Sequence, residues 1–326
     1  MLSSVTRRPS VLALLAIFLG AFLRFHELGA VPPGLHYDFA ANAIIANQIA
    51  FEGWREVFIT AYTGKEALFF YTAGLLFKFV GSSIFTLQLT AALYGILGVA
   101  ACYFAARELT WDDPDSSWIA ALAAAVMSFT FMHLVWSRYG ERATTEPFVQ
   151  GLATGFLFRS LRLYELNREG AKNAKEINTS TFAPFASPAL FRGLRLFLLS
   201  ELSKNPAANM ILAGAFTGLA AYTYLAARLF PIPIAITLLA FLIGTFRRPL
   251  DHPTIRPFDY STIRLLGLYI LAAAIVFAPL GWFFIQHPEA FLIRANQLTP
   301  KEGEGDLLLK GVTGALGMIF VSGEPY

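Results

Sequence analysis

Apolar segments of roughly 20 residues, the length that a membrane-crossing helix needs, recur along this chain and constrain its fold more than any other feature. Apolar residues make up 56% of the 326 residues, whereas only 14% are charged. Ten-residue stretches of alternating polarity, the pattern of membrane β-strands, do not occur. The sequence therefore predicts an all-α polytopic membrane protein and excludes an ordinary soluble domain.

Seven segments are predicted to cross the membrane, namely 11–25, 85–106, 118–136, 145–163, 207–225, 230–246 and 265–285. The apolar segment 67–80 decides the topology, because it is shorter than a span and is interrupted by Lys78. If it does not cross, the basic loops after the fourth and sixth spans are cytoplasmic; if it does, they lie outside. The positive-inside rule favours the first topology, and Arg7 and Arg8 then place the N-terminus in the cytoplasm.

On this topology the chain 1–326 is a single transmembrane module with three long loops. The first outer loop covers 26–84, a cytoplasmic loop covers 164–206, and a further outer loop covers 286–326. Segments 38–51 and 67–80 are predicted to be interfacial helices in the first outer loop. Since the sequence stops within an outer loop, we expect a C-terminally truncated chain.

Segment 31–65 carries the first pair of candidate functional residues. Asp38 follows a Pro-Pro-Gly break that ends the preceding helix, and Lys65 precedes the next apolar run. A carboxylate and a cation at a membrane surface suggest chemistry on a substrate delivered from lipid. Each residue also has a structural explanation, because Asp38 can cap a helix and Lys65 can anchor one at the membrane interface.

The loop 137–147 carries further charged residues at the outer end of a predicted span: Arg138, Glu141, Arg142 and Glu146. The structural explanation for them is a solvated loop with internal ion pairs. Tyr224 and Arg228 close the fifth predicted span, where tyrosine is common in the interfacial aromatic belt. An arginine on the outer side runs against the positive-inside trend, which makes Arg228 the more informative residue of the two.

Several kinds of chemistry find no support in the sequence. The only cysteine, Cys102, lies in an apolar segment, and the five histidines are too scattered to form a metal site. Nucleotide-binding glycine motifs, a serine-hydrolase elbow and a basic-aromatic nucleic-acid surface are also missing. We therefore expect no metal, no cofactor and no nucleic-acid partner.

Taken together, these residues resemble the glycosyltransferase C superfamily, in particular the dolichyl/polyprenyl-phosphate-sugar branch. That branch includes protein O-mannosyltransferases and lipid A aminoarabinose transferases. Its Asp-Glu motif is matched by Asp38-Phe39, its Lys-Pro-Pro-Leu element by Lys-Glu-Ala-Leu at 65–68, and its Ser-Arg loop by Ser137-Arg138 with a downstream acid. The sequence departs from the family in three places. Phe39 replaces the second acid of the first motif, and Glu66-Ala67 replace the two prolines of the second motif. Gln88 occupies a position where an arginine is usual.

The resemblance implies inverting transfer of a sugar from a polyprenyl-phosphate donor to an acceptor hydroxyl of a protein, lipid or glycan. Asp38 would be the general base, and the donor phosphate would be bound by Lys65, Arg138 and Arg228. Residues implied to bind the acceptor or to support the site are Glu66, Glu141, Glu146 and Tyr224. The implied location is the plasma (inner) membrane, in contact with membrane lipids, with the active site facing outside.

Two other classes of function remain open from the sequence. A lipid or small-molecule transporter or flippase would also need a membrane-embedded site, although the sequence has no inverted repeat and no charged residue near the middle of a predicted span. An inactive scaffold homologue would explain the missing second acid at Phe39.

Overall fold

The computed structural model describes residues 9–31, 37–62, 64–176, 204–247 and 260–292. It is mostly helical, as predicted. The helices are α1 Pro9–Phe25, α2 Tyr37–Phe51, α3 Leu68–Val80, α4 Ile84–Leu109, α5 Ser116–Phe129, α6 Phe131–Trp136, α7 Thr145–Glu176, α8 Pro206–Ala220, α9 Pro231–Arg247, α10 Tyr260–Gln286 and α11 Pro288–Leu292. Two 3-10 turns, Arg142–Thr144 and Leu225–Leu229, and a two-stranded hairpin, β1 Phe58–Ile59 and β2 Lys65–Glu66, complete the described elements.

Three helical segments of the described chain are long and apolar enough to cross a membrane: Ile84–Leu109, Leu225–Ile243 and Tyr260–Gln286. Their outward faces carry large apolar side chains, with Ile270 exposed by 64% and Ile275 by 63%. An apolar surface of this kind is stable in lipid rather than in water. The chain is a membrane protein on these grounds. Each of the seven predicted spans coincides with a helix or a helix pair, and the number that cross remains a prediction.

Local sequence signals explain where several helices begin and end. Ser83 caps α4, because its hydroxyl accepts a hydrogen bond from the Thr86 amide at 3.1 Å. Asn205 caps α8 in the same way, with a proline directly after it. Asp38, expected as a cap, instead lies in the first turn of α2, which begins at Tyr37. A carboxylate there still interacts favourably with the helix dipole.

The long helices pack side by side in the order α1, α5, α4, α7, α8, α10. Glycines allow the closest approach, between α8 and α10. A Cβ atom at Gly218 would lie 2.5 Å from the Ala273 carbonyl oxygen, and one at Gly214 would overlap the Tyr269 carbonyl. Small residues that bring two backbones together are typical of helix contacts in membranes.

The helices α2 and α3 pack against each other, and α3 also packs against α4. Ile45 of α2 and Phe70 of α3 are fully buried in a cluster that also includes Leu87 near the start of α4. The amide of Leu68 donates to the Tyr222 carbonyl at 3.1 Å, which joins α3 to the segment after α8. α3 has 13 residues, so its length of about 20 Å falls short of a hydrocarbon core of about 30 Å.

A buried arginine, Arg24, joins α1 to α5 and α6. The Arg24 guanidinium donates to the carbonyls of Gly20 and Ser128 at 2.9 and 3.0 Å and contacts His133 Nδ1 at 2.7 Å. Because α5 ends at Phe129 and α6 begins at Phe131, Ser128 and His133 lie on either side of a break in the predicted third span. Arg24 therefore connects three helices at this break.

The helix α7 extends beyond its predicted span. We expected 145–163 to be a span and 164–206 a loop, but α7 continues to Glu176. Residues 164–176 are rich in Glu, Lys, Arg and Ala, which favour a helix whether or not a membrane surrounds them. The remainder of the predicted cytoplasmic loop, 177–203, the predicted outer segment 293–326 and the N-terminal arginines lie outside the described residues.

Candidate functional site

The hairpin places Lys65 and Glu66 at the centre of a charged cluster. Its strands are antiparallel, with Phe58 opposite Glu66 and Ile59 opposite Lys65. Successive side chains of a strand point to opposite faces, so the two charged groups of β2 face different neighbours. Lys65 is fully buried and Glu66 is 2% exposed. The expectation that Lys65 might only anchor a helix at the membrane surface is therefore wrong, because its ammonium group has no solvent exposure.

Lys65 faces the first turns of α2. Its Nζ donates to Asn42 Oδ1 at 2.8 Å and lies 3.8 Å from Asp38 Oδ1. Asp38 and Asn42 are four residues apart and so share one side of the helix. The Asp38 side chain is 50% exposed. Asp38 thus contacts a buried cation and is also accessible from solvent.

Asn42 connects this pair to the loop before α7. Its Nδ2 donates to Glu141 Oε1 at 3.2 Å and to the Gly140 carbonyl at 3.3 Å. Gly140 has φ +70°, and a Cβ atom there would overlap the ring of Phe39, so both the backbone and the space require glycine. Burial raises the pKa of Glu141 above its ordinary value, against the opposing effect of Arg142.

Glu66 bridges two arginines on the other face of the hairpin. Its Oε2 lies 3.2 Å from Arg142 Nε, and its Oε1 lies 3.2 Å from Arg228 Nη2. The Arg142 guanidinium also lies over the Tyr224 ring, 5.1 Å from the centroid. Arg142 is 3% exposed, and its Nη2 has no hydrogen-bond partner among the residues that the structure describes.

Three aromatic rings and one carbonyl hold the Arg228 guanidinium. Its centre lies 4.9, 5.1 and 5.9 Å from the ring centroids of Phe291, Phe284 and Phe58. Its Nη1 donates to the Phe291 carbonyl at 2.6 Å. Cation–π contacts of this kind stabilise a cation that is partly removed from water. Arg228 is therefore held in a fixed position where the 3-10 turn before α9 meets the end of α10.

An apolar groove of about 740 Å³ begins at Arg228 and runs between α8, α9 and α10. Its walls include Ile234, Leu238 and Leu242 of α9 and Ile270 and Phe277 of α10. Arg228 is the one charged residue among the described residues that line it. The α9 wall from Pro231 to Leu242 extends for about 16 Å, so the groove suits a long apolar chain with an anionic end.

The structure brings most of the predicted site residues together. Asp38, Lys65, Glu66, Glu141, Tyr224 and Arg228 all belong to the cluster through the contacts above. Glu146 lies close by in the first turn of α7, where its carboxylate accepts a hydrogen bond from Gln150 Nε2 at 2.6 Å.

Arg138 does not join these contacts. Its guanidinium donates to the carbonyls of Leu23, Arg24 and Val31, of which the last is 2.8 Å away. These groups belong to the C-terminal end of α1 and the turn after it, where helix carbonyls lack partners within the helix. Arg138 thus stabilises the end of α1, and its role in binding the donor phosphate stays a prediction.

Sequence reasoning missed two members of the cluster, Asn42 and Arg142. Asn42 follows Asp38 by one helical turn, a spacing that could have identified it. Arg142 lies in the loop that was predicted to carry internal ion pairs, four residues after Arg138, and nothing in the sequence distinguishes the two arginines. Among the described residues, no group of three His, Cys, Asp or Glu side chains could hold a metal ion.

Comparisons of the chain with protein-family models, with curated proteins and with solved structures give no match. A function for this chain has to be argued from the geometry of the cluster and the groove.

Proposed function

We propose that this chain transfers a sugar from a polyprenyl-phosphate donor to an acceptor hydroxyl, with inversion at the anomeric carbon. The observation that carries the proposal is the meeting of the apolar groove with the charged cluster at Arg228. A prenyl chain fits the groove by size and polarity. Its phosphate would then lie beside Arg228, at the edge of the charged cluster that also contains Lys65 and Asp38.

The proposed orientation places the cluster outside the membrane, with seven spans. Arg7 and Arg8 precede α1, so the start of α1 is assigned to the cytoplasm. Both α2 and α3 lie at the far end of α1, and neither is counted as a span. The start of α7, the end of α8 and the end of α10 then come to the outer face, where the cluster lies.

In the proposed reaction, the acceptor oxygen forms a bond to the anomeric carbon while the bond from that carbon to the phosphate oxygen breaks. The acceptor proton passes to the Asp38 carboxylate, whose side chain is 50% exposed. The phosphate leaves as an anion, and Arg228 and Lys65 stabilise the charge that develops on it. No metal ion is required, because guanidinium and ammonium groups provide this stabilisation.

A lipid flippase would also use an apolar groove that ends at a cation. Against it, Arg228 lies at one end of the groove, and a phosphate moving through would meet no other charged group among the described lining residues. The glycosyltransferase proposal uses this asymmetry, since the headgroup stays at one end throughout the reaction.

The test uses purified protein in vesicles with a radiolabelled polyprenyl-phosphate sugar, assayed with and without candidate hydroxyl acceptors. An enzyme consumes the donor only when an acceptor is present, a flippase moves it unchanged across the vesicle membrane, and a scaffold does neither. Donor consumption that depends on an acceptor is the result we expect. Movement of intact donor, or no effect on it with any acceptor class, would overturn the proposal.

A groove variant connects this activity to the structure. Ala235 lines the groove at a distance from the charged cluster, so Ala235→Trp fills the space with little effect on the charged residues. We expect a large rise in KM for the long-chain donor. Ile275→Trp is the matched control, because Ile275 is 63% exposed on α10 but is not part of the groove wall.

A further inference from the structure

Arg142 has a hydrogen-bonding capacity that the described structure does not use. A guanidinium carries five N–H donors and always carries a positive charge. In Arg142, Nε is directed to Glu66 and the Tyr224 ring covers one face, while Nη2 has no partner among the described residues. Buried polar groups almost always find partners, and an exception in a charged group requires an explanation.

The chemistry around Glu66 indicates what kind of partner is missing. One carboxylate lies between two guanidiniums. Nη2 of Arg142 can only donate, and among the described residues it finds no acceptor, so its partner has to supply oxygen atoms. An anion with several acceptor oxygens would satisfy this donor and would also bind the neighbouring Arg228 guanidinium.

The position of Glu66 fixes where such an anion would bind. Its two oxygens hold the guanidiniums of Arg142 and Arg228 on adjacent sides of one carboxylate, each at 3.2 Å. Arg228 is also part of the groove wall. An anion that enters from the groove therefore reaches Arg228 first and finds the unused donor of Arg142 within the same cluster.

We infer that Arg142 is a second guanidinium of the donor-phosphate site and that Glu66 is the positioning residue that holds it beside Arg228. The inference rests on the proposed function and adds to it one phosphate-binding residue that the sequence did not single out. It also assigns Glu66 a role, because its carboxylate is the group that the two guanidiniums share.

The test measures binding of two probes to the full chain in detergent: farnesyl phosphate, which has a prenyl chain and a phosphate, and farnesol, which lacks the phosphate. We expect the wild type to prefer farnesyl phosphate. In Arg142→Gln this preference should fall by about tenfold or more, as for loss of a charge-assisted contact, while farnesol affinity stays unchanged. Unchanged farnesol binding also shows that the variant is folded around the groove.

Two further variants make the result decisive. Arg142→Lys keeps the charge but loses the forked donors, and we expect an intermediate preference; it replaces Arg142→Gln if that variant does not fold. Arg162→Gln is the control, because Arg162 pairs with Glu108 and not with Glu66. It should keep the wild-type preference.

The outcomes separate this inference from the proposed function. If the wild type prefers farnesyl phosphate and the Arg142 variants keep that preference, Arg142 does not bind phosphate and the donor proposal stands. If the wild type binds both probes equally, the donor-phosphate site itself is wrong, and the inference is wrong with it.

Discussion

Two arginine–carboxylate contacts lie along α7, one at its start and one near its middle, and they are built differently. Arg162 of α7 holds Glu108 of α4 through two nitrogens, Nε at 2.8 Å and Nη2 at 3.0 Å. Arg142, directly before α7, reaches Glu66 through Nε alone at 3.2 Å and shares that carboxylate with Arg228. The part of α7 from its start at Thr145 to Arg162 is about 26 Å long, slightly less than the thickness of a hydrocarbon core.

The difference separates a structural pair from a candidate site. Two parallel hydrogen bonds between one guanidinium and one carboxylate satisfy both groups, and such a pair holds two helices together. In the Glu66 cluster two guanidiniums share one carboxylate, and an apolar groove leads to it. We therefore expect substitutions at Glu108 to affect stability and substitutions in the Glu66 cluster to affect activity.

The largest expected effect is the loss of transfer in Asp38→Asn. An amide cannot take the acceptor proton, and loss of a general base lowers the rate by about 10²–10⁴-fold. Expression and thermal stability should stay close to those of the wild type, since the Asp38 side chain is 50% exposed. The measurement is the rate of sugar transfer per folded molecule. An active Asp38→Asn protein would remove Asp38 from the role of base.

Lys65→Ala should produce the next largest effect, a rise of about tenfold or more in KM for the donor, because a charge-assisted contact is lost. Steady-state kinetics at varied donor concentration measure it. Lys78→Ala is the control, since Lys78 is an exposed lysine near the end of α3. If KM for the donor stays constant while only the Tm falls, Lys65 is a structural residue and resembles Arg162 rather than Arg228.

Glu108→Gln tests the other side of the comparison. It should destabilise the protein by about 2 kcal/mol, the scale of hydrogen bonds to a charged group, and leave the rate per folded molecule unchanged. Denaturation in detergent measures the first quantity, and the transfer assay measures the second. A loss of activity in the folded Glu108→Gln protein would contradict the assignment of this pair to structure alone.

The smallest effect concerns the pH dependence of stability. Burial raises the pKa of Glu141 above 4.5, so the folded chain binds a proton at this group at pH values where the unfolded chain has already lost it. The contribution of Glu141 to stability is therefore fully present below pH 4.5 and is lost as the pH rises through the folded-state pKa. In Tm measurements across this pH range, the Tm of Glu141→Gln should not show the fall with rising pH that the wild type shows. Curves of Tm against pH with the same shape for both proteins would contradict the prediction.

The sequence predicted the helices well because apolar runs of sufficient length favour helices in a membrane. It also predicted that Lys65, Glu66 and Arg228 belong together, since each follows or precedes an apolar run on the same predicted face. The hairpin was not predicted, because strands of two residues, such as Phe58–Ile59, are too short to show an alternating pattern.

The sequence could not distinguish Arg138 from Arg142. Both lie in one loop, four residues apart, and their roles depend on which partners the fold brings near: the carbonyls at the end of α1 for one, and Glu66 for the other. Asn42 was missed for a related reason. Its spacing from Asp38 places it on the same side of α2, but its contacts with Lys65 and Glu141 form only when those elements are packed.

The continuity of α7 has a mechanical consequence. The helix has 32 residues, a length of about 48 Å, which exceeds a hydrocarbon core of about 30 Å. An unbroken helix behaves as a stiff rod on this scale, so a tilt imposed at the Glu176 end is transmitted to the Thr145 end as a displacement. Arg142 is attached directly before that end. A force applied about 48 Å away can therefore change the distance between the Arg142 guanidinium and Glu66.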